Sequence, residues 1–474
     1  MLFNSLSFFA LLGPLLLFYW LSKRQEARLG LLFVGSLVFY SYHHWPSVFL
    51  LLFTVSFNYV MGRRQGRSRS LAELWITLSV NLSLILWFKY SAFIADNINA
   101  TLHLIGVTMA VPRPPVFLPL GISFFTFQVI AYQVDVHRGT IEAEPSLLRF
   151  AVFKCFFPQL IAGPIVRAAD FLPQLRRMVR FDAAQFHQGL WLLLAGLGLK
   201  IGVADVLAQF ARQAFDDPAK LSFLGAWTGL YAYAFQLYAD FWGYSTMAVG
   251  LAALFGLVLP LNFDTPYVAA SLQEFWRRWH ITLSIWFRDY VYIPLGGNRR
   301  RRDVNLLVTM GLAGLWHGAG WPFLLWGLAH GTWLVIERRF TTGKNASAPS
   351  PEAPLTIASL GKPGWWWRVV KTLLVFHGVC LLWVLFRAPD MGVATAYYAK
   401  LIAPSYNQGA SEVPRVLVHW LVGFALIQWP LNWTLRQRRF AGFKFPVQWA
   451  VALGVLYVVL TYAGAKVDFI YFTF

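Results

Sequence analysis

Between Asp303 and Glu337 the only ionisable side chains are two histidines, His317 and His330. Arginines close the stretch at both ends, Arg299 to Arg302 before it and Arg338 and Arg339 after it. Clustered arginines mark the cytoplasmic side of a membrane segment, so both ends lie on one side and residues 304 to 337 fold back as a hairpin. Each leg then holds about 15 to 17 residues, short of the roughly 20 that cross a bilayer. The turn, and His317 with it, is expected deep in the membrane. Ionisable groups there are costly, so an intramembrane histidine is a functional candidate by default.

The rest of the chain is built on the same plan. Hydrophobic residues make up 58% of it and charged residues 13%, and apolar runs recur from end to end with no soluble-looking block between them. The runs are continuous rather than alternating, which excludes a membrane β-barrel. The expected fold is all-α: one polytopic membrane domain over 1–474, with about 11–13 membrane-embedded helices, a half-length hairpin and interfacial helices among them. A formal charge of +19 invites a nucleic-acid reading, but the basic residues sit in short loops beside the apolar runs, as positive-inside topology requires. Nucleic acid is not expected as a partner; membrane lipids are. Cys155 and Cys380 both lie in apolar runs, so neither a disulfide framework nor a metal cluster is expected. Residues 3 to 22 lack a basic leader and a small-residue cleavage site, unlike a signal peptide.

Lys23, Arg24 and Arg28 after the first run put the N-terminus outside. Residues 29–42 and 47–61 then go out and back, 73–95 go out, and 96–115 read as an outer loop. Residues 116–134 read as a broken or re-entrant helix, and 147–163, 185–214 and 222–257 as further spans. Residues 267–298, rich in Trp, Arg and Tyr, suit a helix lying at the interface. A Ser/Pro/Gly/Ala-rich cytoplasmic linker is expected at 341–365, then spans at 369–387, 416–433 and 446–464. That count leaves the C-terminus outside as well.

Four groups of residues can carry chemistry. A neutral, desolvated His317, beside Trp316, is suited to act as general base for a hydroxyl attacking an activated acyl group; a helix-packing histidine is the alternative. His330 can line the same cavity or bond to a neighbouring helix. In the segment from Glu274 to Tyr290, Arg277, Arg278 and Arg288 suit lipid phosphates or an anionic donor, and His280 serves chemistry or packing. Gln236, Asp240 and Tyr244 fall at i, i+4 and i+8 on one helix face, where a lone aspartate should face a cavity or an arginine. Asp135 and His137 read as an interfacial structural pair. The last group is the aromatic hexapeptide of Phe469, Ile470, Tyr471, Phe472, Thr473 and Phe474. It reads as a belt anchor or as a plug whose tyrosine hydroxyl accepts an acyl group.

Glu274-Phe-Trp-Arg-Arg-Trp-His-Ile-Thr-Leu-Ser-Ile-Trp-Phe-Arg-Asp-Tyr-Val-Tyr-Ile-Pro-Leu-Gly-Gly-Asn-Arg299 closely resembles the membrane-bound O-acyltransferases (MBOATs), and within them the bacterial alginate and cell-wall O-acetylation type. Leu315-Trp-His-Gly-Ala-Gly320 matches the family's histidine motif. Leu118 to Phe124, Pro158 to Pro164 and Asp240 to Ser245 add agreement, and the likeness runs essentially from Met1 to Phe474. Trp242 and Thr246 depart from the residues common at their positions.

The resemblance implies helices around a central tunnel, with a cytoplasmic acyl donor on one side, an extracytoplasmic acceptor on the other, and His317 between them. Phe469, Tyr471 and Phe474 fit the Phe-x-Tyr-x-x-Phe motif of relatives in which the tyrosine carries the acyl group outward. The expected enzyme is therefore a bacterial inner-membrane O-acetyltransferase, with no bound cofactor and acetyl-CoA as donor. His317, Tyr471 and His280 would be catalytic. Gln236, Asp240, Tyr244, Arg288, Trp316 and His330 would line the donor site or tunnel. A periplasmic SGNH-hydrolase-like transferase would be the partner and an extracytoplasmic polysaccharide the acceptor. Acylation of a lipid or lipid-linked sugar is the alternative, and a transporter using Asp240 and the histidines as a proton relay is the non-enzyme reading.

Overall fold

The computed structural model describes residues 1–341, 364–403, 415–436, 445–462 and 469. The described residues are helical, with no strand among them. Helices α1 (Leu6–Leu21), α2 (Gln25–Ser41) and α3 (Ser47–Ser68) follow one another through short basic or His-rich turns. Next come α4 (Leu71–Leu104), α5 (Ile122–Arg138), α6 (Leu147–Cys155), α7 (Phe157–Leu160), α8 (Ala168–Leu175), α9 (Ala183–Asp216) and α10 (Phe223–Leu254). The remainder is α11 (Leu272–Arg278), α12 (Ile281–Phe287), α13 (Arg302–His317), α14 (Trp321–Thr341), α15 (Trp365–Arg387), α16 (Met391–Ile402), α17 (Arg415–Arg436) and α18 (Phe445–Tyr462). Of these, α4, α9 and α15 are each long and apolar enough to cross a membrane.

The chain forms two compact units, residues 1–193 with 244–260, and residues 194–243 with 261–474. In the first, α3, α4 and α5 are joined by a buried amide network. Asn58 and Asn81 exchange side-chain hydrogen bonds at 3.0 Å, and Gln133 donates to the Asn58 carbonyl at 2.7 Å. Such bonds hold helices together where lipid removes the hydrophobic drive between them. His137 meets Gln65 at 2.6 Å near the end of α5, so it is structural.

Several expectations need correction. The loop expected over 96–115 begins later, because α4 runs on to Leu104 through a π-turn at Leu86–Tyr90. Residues 147–163 do not form a span: α6 has 9 residues and α7 only 4. Phe150, Val152, Phe153 and Cys155 are apolar because protein covers them, each being 0% exposed. Residues 267–298 are not one interfacial helix. The run breaks at His280, and Phe275, Trp279, His280 and Leu283 are all at most 2% exposed. Helix α16 was not anticipated. The linker expected at 341–365 lies, from 342 to 363, outside the described residues.

In the second unit the hairpin is present. Helix α13 (16 residues) ends at His317, residues 318–320 turn, and α14 (21 residues) returns. Glycines set its closeness: a Cβ on Gly314 would lie 2.2 Å from the Phe323 carbonyl oxygen, and one on Gly327 would lie 2.1 Å from that of Met310. Neither backbone oxygen can swing aside as a side chain could. Gly327→Ala is therefore expected to destabilise the protein by about 1–3 kcal/mol through overpacking. Gly30→Ala, where nothing lies within 4 Å of the added carbon, should stabilise α2 by about 0.5–1 kcal/mol. Thermal unfolding of the two purified variants in one detergent checks the contrast.

Candidate active site

The hairpin turn delivers His317 into an aromatic enclosure. Its ring, in a residue 3% exposed, packs edge-on against Trp316 at 4.9 Å, Trp326 at 5.2 Å and Phe386 at 5.0 Å between centroids. His280 is 0% exposed. It stands 6.5 Å from His317, 6.0 Å from Trp316 and 4.6 Å from Phe241. A histidine at the end of α13 and one at the break between α11 and α12 thus share one buried, aromatic-walled space. An imidazole so enclosed exchanges protons with whatever is bound beside it more readily than with bulk water.

His330, on α14 and 0% exposed, is boxed by Trp326 at 4.7 Å, Trp276 at 5.2 Å and Phe275 at 6.4 Å. Among the described residues its two ring nitrogens have no hydrogen-bond partner. Trp326 touches both His317 and His330, and so walls one from the other.

The segment carrying His280 is tied down rather than lying free. Ser271 caps α11 by accepting from the Glu274 amide at 3.0 Å, and the Glu337 carboxylate accepts from the Leu272 amide at 2.6 Å. Arg278 pairs with Glu274 at 2.8 Å and donates to the Asp264 carbonyl at 3.1 Å. It is 7% exposed, so it does not offer its charge to a lipid phosphate. Arg288 opens the π-turn Arg288–Tyr292, with its side chain 58% exposed and paired to Asp289 at 2.6 Å.

The three polar residues of α10 serve different neighbourhoods. The Asp240 carboxylate meets the Lys200 ammonium at 2.9 Å, and Lys200 meets Asp205 at 2.8 Å, with all three side chains at most 4% exposed. Lys200 lies in the π-turn Gly198–Ala204 of α9, where the Asp205 amide donates to the Lys200 carbonyl. That i to i+5 register stacks Lys200 and Asp205 on one face, whereas α-helical spacing would turn them apart. Sequence reading missed both, because five residues is not an α-helical interval. Tyr244 falls in the first unit, its ring stacked on Phe3 at 4.6 Å. Gln236 is 9% exposed.

Phe469, the first residue of the aromatic hexapeptide, is 1% exposed and packs on Phe241 at 6.1 Å, the same ring that faces His280. Tyr471 and Phe474 lie outside the described residues. Among the described residues no group of three His, Cys, Asp or Glu converges as a metal site.

The chain is 42% identical to the probable alginate O-acetylase AlgI of Azotobacter vinelandii, over 85% of this chain and 78% of that one. It is 40% identical to the AlgI of Pseudomonas aeruginosa, over 85% and 75% of the two chains. The peptidoglycan O-acetyltransferase of Helicobacter pylori is 36% identical, over 76% and 71%. The sequence model of the membrane-bound O-acyltransferase family matches residues 73–350, a stretch that holds Asp240 and all three buried histidines. The chain belongs to the membrane-bound O-acyltransferase family and is a polytopic, all-helical membrane enzyme of that chemistry.

Proposed function

We propose that this enzyme moves an acetyl group from cytoplasmic acetyl-CoA across the bacterial inner membrane, for O-acetylation of an extracytoplasmic polysaccharide. The observation that carries the reading is the burial of Phe469 against Phe241, a ring that also meets His280, itself 6.5 Å from His317. Tyr471 follows Phe469 by two residues, a tether of about 7 Å at full extension.

His317 accepts the Tyr471 phenolic proton as the oxygen attacks the acetyl carbonyl. The carbon–sulfur bond then breaks, and the departing CoA thiolate takes the proton back from the imidazolium. His280 orients the pair. Acetyl-tyrosine passes its group to a periplasmic SGNH-hydrolase-like transferase, which acetylates the polymer's hydroxyls. The basic loops support a topology with both termini extracytoplasmic. The relatives' printed activities, acetylation of alginate and of peptidoglycan, support the acceptor class.

The test is incubation of purified chain with radiolabelled acetyl-CoA. Base-labile label on the wild-type protein, absent from folded Tyr471→Phe, is the expected result. Undiminished label on Tyr471→Phe would remove the tyrosine carrier, and label in extracted lipid would make a lipid the acceptor.

A further inference from the structure

His280 is one of three left-handed residues other than glycine described in the second unit, with Thr265 and Arg301. Its backbone is left-handed (φ 42°, ψ 55°), a conformation that crowds the Cβ of any residue but glycine against the following carbonyl oxygen. Such strain persists only where the surroundings over-determine it. Here they do. The Ile281 amide donates to the Asn262 carbonyl at 2.9 Å, and the Asp264 amide donates to the Arg278 carbonyl at 2.9 Å. Two backbone bonds therefore bracket His280, one on either side.

The Asn262 side chain completes the clamp. Its Oδ1 accepts from the Thr282 hydroxyl at 2.7 Å and from the Thr282 amide at 3.3 Å, and Asn262 is 2% exposed. The second bond matters because α12 starts with His280 as its N-cap, and His280 makes no capping bond. Asn262 supplies from another segment the acceptor that a helix N-terminus needs. The imidazole is thereby released from capping and turned instead to Phe241 and His317. The clamp has its own anchor, since Asp264 accepts from Asn432 Nδ2 at 3.0 Å and from Arg278.

We infer that Asn262, acting through Thr282, is a positioning residue that holds His280 in its left-handed conformation beside His317. The inference rests on the reading that the two histidines work together in acetyl transfer. Asn262 itself touches no reacting atom in that scheme; it sets where one of the two imidazoles stands.

The test uses the full chain expressed in its own host. The readout is ester-bound acetate released from the envelope by mild base, less the deletion-strain background and normalised to the chain present in the membrane. Asn262→Leu should lower transfer on the order of ten- to a hundredfold, as small misplacements do. Thr282→Val should lower it several-fold, while Thr282→Ser, which keeps the hydroxyl, should stay near wild type.

The decisive readout is coupling, because neighbours acting as one unit are non-additive. In a His280→Gln background, Asn262→Leu should cost nothing further. An equal loss in both backgrounds, or a His280→Gln chain that transfers at the wild-type rate, overturns the inference. His317→Gln run alongside tests the underlying reading by itself: acetate at the wild-type level there would dismiss His317 as the base, whatever the coupling shows.

Discussion

Folded His317→Gln protein is expected to transfer acetyl groups about 10²- to 10⁴-fold more slowly than wild type, the range lost with a general base. Glutamine fills most of the space of imidazole, so the contacts with Trp316, Trp326 and Phe386 are largely kept while proton acceptance is lost. Alanine would confuse the two effects by leaving a cavity. His330→Gln is the proper comparison, being an equally buried histidine on the partner helix of the same hairpin. Its ring is shut in by Trp276, Trp326 and Phe275, so its loss should lower thermal stability and leave most of the transfer rate. Initial rates of acetate transfer, with thermal unfolding of each variant, separate the cases. Equal arrest by both substitutions in folded protein would remove His317 from the role of sole base.

The hairpin could be read from the sequence because membrane insertion leaves a strong mark: arginines on both flanks and no other charge between. The leg lengths were less legible, since α13 has the expected 16 residues but α14 runs to 21, its last turn extending through the flanking arginines. What the sequence hid has definite physical causes. A left-handed residue that is not glycine has no local signature, so Glu274 to Tyr290 reads as one amphipathic helix although His280 breaks it. The Asn262 clamp is equally silent, since its bonds join residues about twenty positions apart through one side chain. Residues 147–163 were misread because protein burial and lipid burial select the same apolar side chains. Asp240 is expected to face a cavity or an arginine; its partner is instead Lys200, forty residues upstream in a π-turn that pattern matching at 3.6 residues cannot register.

That cation sets the second large effect. Lys200→Met is expected to destabilise the protein by about 3–5 kcal/mol, the cost of removing one partner from a buried ion pair. Two carboxylates, Asp205 and Asp240, share the single ammonium, at 2.8 and 2.9 Å, with all three side chains at most 4% exposed. Without it the two carboxylates would repel each other in a medium that screens poorly. The chain would then have to take up protons or lose the packing of α9 on α10 within the second unit. The triple variant Lys200→Met, Asp205→Asn, Asp240→Asn removes every charge while nearly keeping volume, and uncharged replacements of buried ion pairs are often neutral. It should recover most of the lost stability, read as the unfolding temperature in one detergent. A Lys200→Met protein as stable as wild type would mean that the ammonium contributes nothing to the fold. A triple variant as unstable as the single one would mean that hydrogen bonds rather than charge join the two helices. The recovered triple variant also decides whether Asp240 serves transfer: the three charges meet one another at 2.8 and 2.9 Å, so a folded chain without them should keep acetylating.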